Sequence, residues 1–312
     1  MNLSHAYGSP VSVEAGTALL HKALDLGVTH FDTAAMYGLG SNEELVGSAL
    51  KTHRKEVFLA SKCGMTGVNG KRVIDGRPET LRRTCELALK RLQTDFIDLY
   101  YLHRWDKSVP IEESVGAMGD LMREGKVRAI GLSEVSAPTL KKAHGETPVS
   151  AVQTEYSLWT RNPEIAVLEA CRDIGASFVA FSPLGRGFLS GAVTDANFAP
   201  NDIRIAMPRF QAENLSQNLK WHAEFMAIAG RAGVTPSQLS LAWLLSQGDH
   251  IHVIPGTTQI NHVIENLATP AIGQEVLDEA GCLISANVVK GARYPTLNQS
   301  EVDTEEMADY GE

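Results

Sequence analysis

Long apolar runs are absent from the 312 residues: none approaches the roughly 18 that span a bilayer, and the opening MNLSHAYGSP has neither a basic start nor an apolar centre. The chain is therefore expected to be cytoplasmic, without membrane attachment. Cysteine is sparse as well. Cys63, Cys85, Cys171 and Cys282 stand far apart with no CxxC pair, which excludes a disulfide framework and a finger-type metal site. Clusters of Lys and Arg are missing, and the net charge of -9 argues against a nucleic-acid surface. Part of that charge lies in SEVDTEEMADYGE, acids without a base, expected to be a solvated, frayed tail over about 301–312. Low-complexity linkers are lacking too, so residues 1–312 are expected to form a single domain. Hydrophobic and charged fractions of 44% and 21% are those of an ordinary globular chain with ample core.

Within that composition, short apolar runs alternate with amphipathic stretches. VTHFDTA, EVFLASK, DFIDLYYLH, VRAIGLS, SAVQTEYS, SFVAFSPL and IHVIPGT read as strands. NEELVGSALK, PETLRRTCELALKRLQ, SVGAMGDLMREG, PEIAVLEACRDIG and PSQLSLAWLLSQG read as helices between them. Asn42, Ser136 and Asn162 are expected at helix starts, and Gly125 and Gly175 near helix ends. Gly185 to Leu215 reads as an elaborated loop leading into a helix. Repeated β-α units without a break favour a (β/α) barrel over a doubly wound sheet. One strand is missing: the chain opens with a turn-rich segment and the helix SVEAGTALLHKALDLG, just past the place of a first strand.

In a parallel barrel, functional side chains sit at the carboxyl ends of the strands. VTHFD delivers Asp32, with Tyr37 in the loop beyond; VFLASK ends on Lys62, and DFIDLYYLH on His103. Taken singly, each has a plain account: a turn cap, a packed aromatic, a snorkelling lysine, a satisfied structural histidine. Together at consecutive strand ends they suit proton transfer to a carbonyl. An ammonium beside a phenol stabilises the phenolate and lowers a pKa of about 10, a carboxylate keeps the ammonium charged, and an imidazole can hydrogen-bond the carbonyl oxygen. The competing chemistry, Lys62 as a Schiff-base nucleophile in a barrel aldolase, is poorly served by a neighbouring Asp32.

None of these groups carries hydride, so a redox cofactor is required. PLGRGFLSG sets its third glycine, Gly191, one place late for G-x-G-x-x-G, and it comes late in the chain, which rejects a Rossmann reading. IPGTTQINHVIENL places Gly256, Thr257 and Thr258 between the last strand and a helix, where N–H groups and hydroxyls can receive a phosphate. An ordinary strand-to-helix turn with a cap accounts for the same residues.

The ordered stretches FDTAAMYG, ASKCG, YLHRWD, GLSEVS, VQTEYSLW, FSPLGRGFLSG and IPGTTQINHVIENL resemble the aldo-keto reductase superfamily over nearly the whole chain. FSPLGRGFLSG and DIRIAMPRF look most like its auxin-induced-protein and pyridoxal-reductase branch. The resemblance implies an α/β (β/α)8 TIM barrel that reduces an aldehyde or ketone with NADPH, NADH being the second candidate, and uses no metal. It puts Asp32, Tyr37, Lys62 and His103 on the catalytic tetrad, with the proton coming from Tyr37. Ser133, Glu134 and Gln153 match positions that hold the nicotinamide carboxamide, and Phe181 the aromatic that stacks on its ring. Ser182, Leu184, Gly185, Arg186 and Gly187 match the pyrophosphate loop. Thr257, Thr258, Gln259 and His262 match the adenosine-phosphate site, with Glu265 and Asn266 toward the adenine.

Three departures from the family pattern carry consequences. Glu134 stands where asparagine is common, and a carboxylate accepts from a carboxamide but cannot donate back. Thr258, Gln259 and His262 stand where Lys or Arg commonly faces the 2′-phosphate, which weakens the expected discrimination for NADPH over NADH. The family's N-terminal hairpin and first strand are not matched, so an open seven-stranded barrel with two exposed edges is expected, as from a truncated form or misassigned start. A nucleotide-binding regulatory subunit with slow turnover, as among potassium-channel β subunits, is the alternative to an enzyme. Trp105, Trp159, Met36 and Phe210 are expected either to line an apolar substrate pocket or to anchor loops.

Overall fold

A computed structural model of the protein describes residues 1–68, 71–285 and 288–306. Among the described residues, nine strands form two sheets. Seven are parallel and follow one another in the order β1 (His30–Asp32), β2 (Phe58–Cys63), β5 (Ile97–Leu102), β6 (Val127–Ser133), β7 (Ala151–Glu155), β8 (Ser177–Phe181) and β9 (Ile251–Ile254). These are the seven runs expected from the sequence. The other two, β3 (Met65–Val68) and β4 (Lys71–Ile74), make an antiparallel hairpin above the sheet's carboxyl edge that hydrophobic patterning did not reveal. The seven-stranded sheet is nearly closed into a barrel, with β1 and β9 as its edges.

Helices α1 (Val13–Asp25), α2 (Ser41–Leu50), α3 (Pro78–Leu92), α4 (Ile111–Arg123), α5 (Ala137–Glu146), α6 (Val167–Ile174), α7 (Ala212–Arg231), α8 (Pro236–Ser246) and α9 (Ile260–Leu267) alternate with the strands, and α10 (Gln274–Leu283) and α11 (Thr296–Gln299) follow. Their termini obey local chemistry. Ser12 and Ser136 cap α1 and α5 through their hydroxyls, Thr235 and Gln238 form a reciprocal capping box on α8, and Gly175 ends α6 in the left-handed region. Asn42 does not start its helix as expected. It lies inside α2, fully buried, accepting from Thr33 Oγ1 at 2.8 Å and donating to Ser4 Oγ at 2.8 Å. The irregular stretch from Gly185 holds three short 3-10 turns before α7 begins at Ala212.

Strand periodicity divides the core into two layers. Tyr100, Leu102, Ile130, Leu132, Val152 and Phe178 face the helices in one large cluster, while Ala60, Leu99, Tyr101, Ala151 and Val179 form a smaller one within the curve of the sheet. Gly131, paired with Tyr101, belongs to that inner face: a Cβ there would stand 2.5 Å from the Tyr101 ring, so only glycine lets the ring lie flat against β6. Because alternate residues share a face, the next inward positions along the strands are Lys62 after Ala60, His103 after Tyr101, Ser133 after Gly131, Gln153 after Ala151 and Phe181 after Val179. The site is thus the top layer of the barrel interior.

Residues 301–305, expected to fray, are docked instead. Asp303 accepts from Ser136 N and Oγ at 3.2 and 2.9 Å, and Glu305 from Ala137 N at 2.7 Å, so two tail carboxylates sit on the positive end of α5. Lys107 Nζ donates to the carbonyls of Ser300 and Val302 at 3.0 and 2.9 Å. Residues 307–312 of the expected tail lie outside the described residues.

Candidate active site

Asp32 closes β1, and Lys62 is the last residue but one of the neighbouring β2. The Lys62 ammonium pairs with Asp32 and donates to Thr33 O at 3.0 Å. Gln153 Nε2, from β7, donates to the second Asp32 oxygen at 2.8 Å. Lys62 is 1% exposed, and a cation so buried is stable only with a hydrogen-bonded counter-charge. Burial opposes its charge, but Asp32 and Tyr37 outweigh burial and hold the Lys62 pKa above the ordinary lysine value. Lys62 therefore stays protonated, which removes the Schiff-base chemistry.

Tyr37 follows β1 in a tight turn whose Gly38 and Leu39 adopt left-handed φ of 57° and 54°. Its ring lies 4.9 Å from Lys62 Nζ and 5.8 Å, edge-on, from the His103 ring. The Tyr37 phenol does not show the lowered pKa expected from the sequence. Burial raises it and outweighs the pull of Lys62, so the group is protonated at neutral pH, ready as an acid. Burial, with the charges of Arg104 and Lys62, holds His103 well below the usual histidine range. A neutral imidazole results, and its Nδ1 is buried with no protein partner among the described residues.

Around this tetrad lie the residues matched to cofactor binding. Ser133, at the end of β6, accepts from Arg104 Nη1 at 3.3 Å. Glu134, with φ of +58°, has its carboxylate engaged within the protein: it accepts from Glu155 N at 2.9 Å and pairs with Arg293, whose Nη1 lies 3.0 Å from Oε1. An acid in place of asparagine is thereby explained, since Arg293 is buried and requires a counter-charge. Gln153 is engaged with Asp32, as described. Phe181 is half-buried at the end of β8.

Beyond Phe181, Ser182, Gly185, Arg186 and Gly187 all have positive φ, of 50°, 56°, 58° and 91°. Such left-handed curvature gathers backbone N–H groups into a concave surface suited to an anion, which fits a pyrophosphate. Leu184 is half-buried within the same loop. The Arg186 guanidinium lies beneath it, bonded to Glu155 at 2.6 Å and to Tyr294 Oη at 3.2 Å. After β9, Thr257 Oγ1 accepts from Gln259 N at 3.0 Å and lies 3.2 Å from His262 Nδ1, while Thr258 is exposed and Glu265 and Asn266 are half-buried on α9. No Lys or Arg stands among these positions, so this end offers hydroxyls, an amide and an imidazole to a phosphate.

Of the four residues expected either to line a pocket or to anchor loops, two are packed in the core. Trp159 and Phe210 are buried in the core, with the Trp159 ring stacked 4.5 Å from Phe188. Trp105 and Met36 are half-buried near the mouth, and Trp105 Nε1 donates to Val109 O at 2.9 Å. Sequence reasoning did not single out Arg104 or Arg293. Arg104 was signalled by its place directly after His103, but Arg293 comes from beyond the last β-α unit and carried no periodic signal.

A family model described as the aldo/keto reductase family matches residues 1–278. The chain belongs to this family. It is 43% identical over 298 residues to a probable aldo-keto reductase of Glycine max, covering 94% of this chain and 86% of that protein. It is also 43% identical over 305 residues to the NADP(+) aldo-keto reductase yakc of Schizosaccharomyces pombe, covering 93% and 88%. Among solved structures, a glycerol dehydrogenase of Gluconobacter oxydans superposes with a TM-score of 0.80 at 29% identity, over 88% of this chain and 87% of that one. An aldo-keto reductase of Klebsiella pneumoniae in complex with NADPH superposes with a TM-score of 0.70 at 26% identity, over 93% and 95%. No helix among the described residues is long and apolar enough to cross a membrane, and no group of three or more His, Cys, Asp or Glu could hold a metal ion.

Proposed function

We propose that the protein reduces an aldehyde or ketone to the alcohol, using NADPH, with Tyr37 as the proton donor. The observation that carries this reading is the convergence of Asp32, Tyr37, Lys62 and His103, from three strand ends, around one phenol. When bound, the nicotinamide supplies a hydride to the carbonyl carbon. The chain's own residues do the rest. Phe181 presents an aromatic face to the ring, Ser133 and Gln153 border the carboxamide position, and the left-handed loop from Ser182 to Gly187 receives the pyrophosphate. Thr257, Thr258, Gln259 and His262 take the adenosine phosphate, with Glu265 and Asn266 toward the base. The NADP(+) in the name of the yeast relative and the NADPH in the bacterial complex support this choice of cofactor.

The neutral His103 hydrogen-bonds the carbonyl oxygen and sets it within reach of the Tyr37 hydroxyl. As negative charge develops on that oxygen, the phenol transfers its proton, and the phenolate left behind is stabilised by the Lys62 ammonium. Asp32 fixes the ammonium, and Gln153 fixes Asp32. Loss of NADPH absorbance against a panel of aldehydes that includes pyridoxal and phenylglyoxal, with the alcohol identified as product, tests the reading. Retained nucleotide with no turnover of any carbonyl would replace it with a nucleotide-sensing role.

A further inference from the structure

Among the described residues, the mouth of the barrel holds an arginine, Arg104, whose charge is not matched by a carboxylate. Lys62 pairs with Asp32, Arg186 with Glu155, Arg293 with Glu134 and Arg72 with Glu301. Arg104 has no carboxylate partner among the described residues. Its Nη1 donates to its neighbour's carbonyl, His103 O, at 2.7 Å and to Ser133 Oγ at 3.3 Å, and its remaining N–H donors have no protein acceptor among those residues. The nearest acid in sequence is Asp106, whose oxygens accept from Gly76 N at 3.1 Å and from Ser108 N and Oγ at 3.0 and 2.6 Å.

Arg104 is half-buried, and its guanidinium links the carbonyl of His103, just past β5, to Ser133 at the end of β6, while the His103 ring stands edge-on 5.8 Å from the Tyr37 ring. A planar fork with free donors, partly withdrawn from water, binds a carboxylate far better than a neutral group. On a chain of net charge -9, such a feature also selects the sign of what enters.

We propose that Arg104 makes this site selective for carbonyl compounds that carry a carboxylate close to the reacting C=O, such as short oxo acids and carboxylated benzaldehydes. The carboxylate docks on the free edge of the guanidinium, which holds the carbonyl oxygen toward His103 and Tyr37. Arg104 is a specificity residue in this account: it takes and gives no proton. The inference rests on the carbonyl-reductase reading of the same tetrad.

Two matched pairs test it, 4-oxobutanoate against butanal and 2-carboxybenzaldehyde against benzaldehyde, each with NADPH at low salt. In the natural protein, kcat/KM is expected to favour the charged member of a pair by tenfold or more, mainly through KM, and to lose that preference as salt is added. Arg104→Gln should bring the ratio within each pair to near one, while Arg104→Lys retains part of it. Turnover of the neutral aldehydes with no preference for their charged partners would overturn the inference and leave the reductase reading intact. No turnover of either member would count against the reductase reading itself. Equal losses on both members in Arg104→Gln would make Arg104 a structural support, and a weakened NADPH dissociation constant with unchanged ratios, read by nucleotide fluorescence, would assign it to the cofactor. Either result overturns the proposal.

Discussion

Gln153 Nε2 donates to Asp32 Oδ2 at 2.8 Å, joining the middle of β7 to the end of β1 across the barrel interior. The carboxylate that holds Lys62 is therefore itself held, by a residue matched to carboxamide binding. Gln153→Leu removes the bond while keeping the bulk. Leaving one Asp32 oxygen without its donor should lower stability by about 1–3 kcal/mol. Turnover should fall about tenfold as the Lys62–Tyr37 geometry loosens. Urea melts and steady-state rates on the same preparations check both.

Breaking the pair from the other side costs more. Asp32→Asn leaves the buried Lys62 ammonium without a counter-charge and should destabilise the protein by about 3–5 kcal/mol. Asp32→Asn combined with Lys62→Met removes the stranded charge, so the double variant is expected to melt at a higher temperature than Asp32→Asn alone. A lower melting temperature for the double variant would contradict the role of burial.

Five histidines, His5, His30, His103, His222 and His250, have folded pKa values below the ordinary 6.5, burial being the largest cause at each. As pH falls, the unfolded chain takes up these protons first. The stability held by the neutral imidazoles is thus complete above pH 6.5 or so and is lost as pH falls from there toward the folded values. Melting temperature should drop between about pH 7 and pH 5. His103→Gln, which carries no proton to take up, should give a shallower decline.

The proposed adenosine-phosphate end carries a prediction about cofactor choice. Thr258 and Gln259 are exposed and uncharged, so a 2′-phosphate bound as proposed would meet no fixed cation from them. NADPH is expected to be favoured over NADH only modestly. Gln259→Arg should raise that preference about tenfold, the scale of one added hydrogen bond to a charged group. The ratio of kcat/KM for the two cofactors is the readout.

The barrel was legible because its strands are short β-branched and aromatic runs ending in polar residues, and the candidate site because Asp32, Lys62 and His103 lie at or just past such ends, with Tyr37 in the turn after the first. Local chemistry foretold the Ser136 cap, but the buried Asn42 was misplaced, since its partners Thr33 and Ser4 come from other segments. The same limit hid the Glu134–Arg293 pair, whose members are 159 residues apart. For Trp159 and Phe210 the sequence does not decide between pocket and anchor, because an aromatic in a loop gives no sign of which side it packs on; both are buried. The tail read as frayed from composition alone, yet Asp303 and Glu305 find the amides of one helix terminus.

Tyr37→Phe tests the central claim most directly. It keeps the ring against Lys62 and His103 and deletes only the hydroxyl. Turnover of a good aldehyde should fall by roughly 100- to 10,000-fold, while the NADPH dissociation constant stays within a few-fold of the natural protein's. Turnover near the natural level in Tyr37→Phe, with NADPH bound equally well, would show that the proton comes from another group.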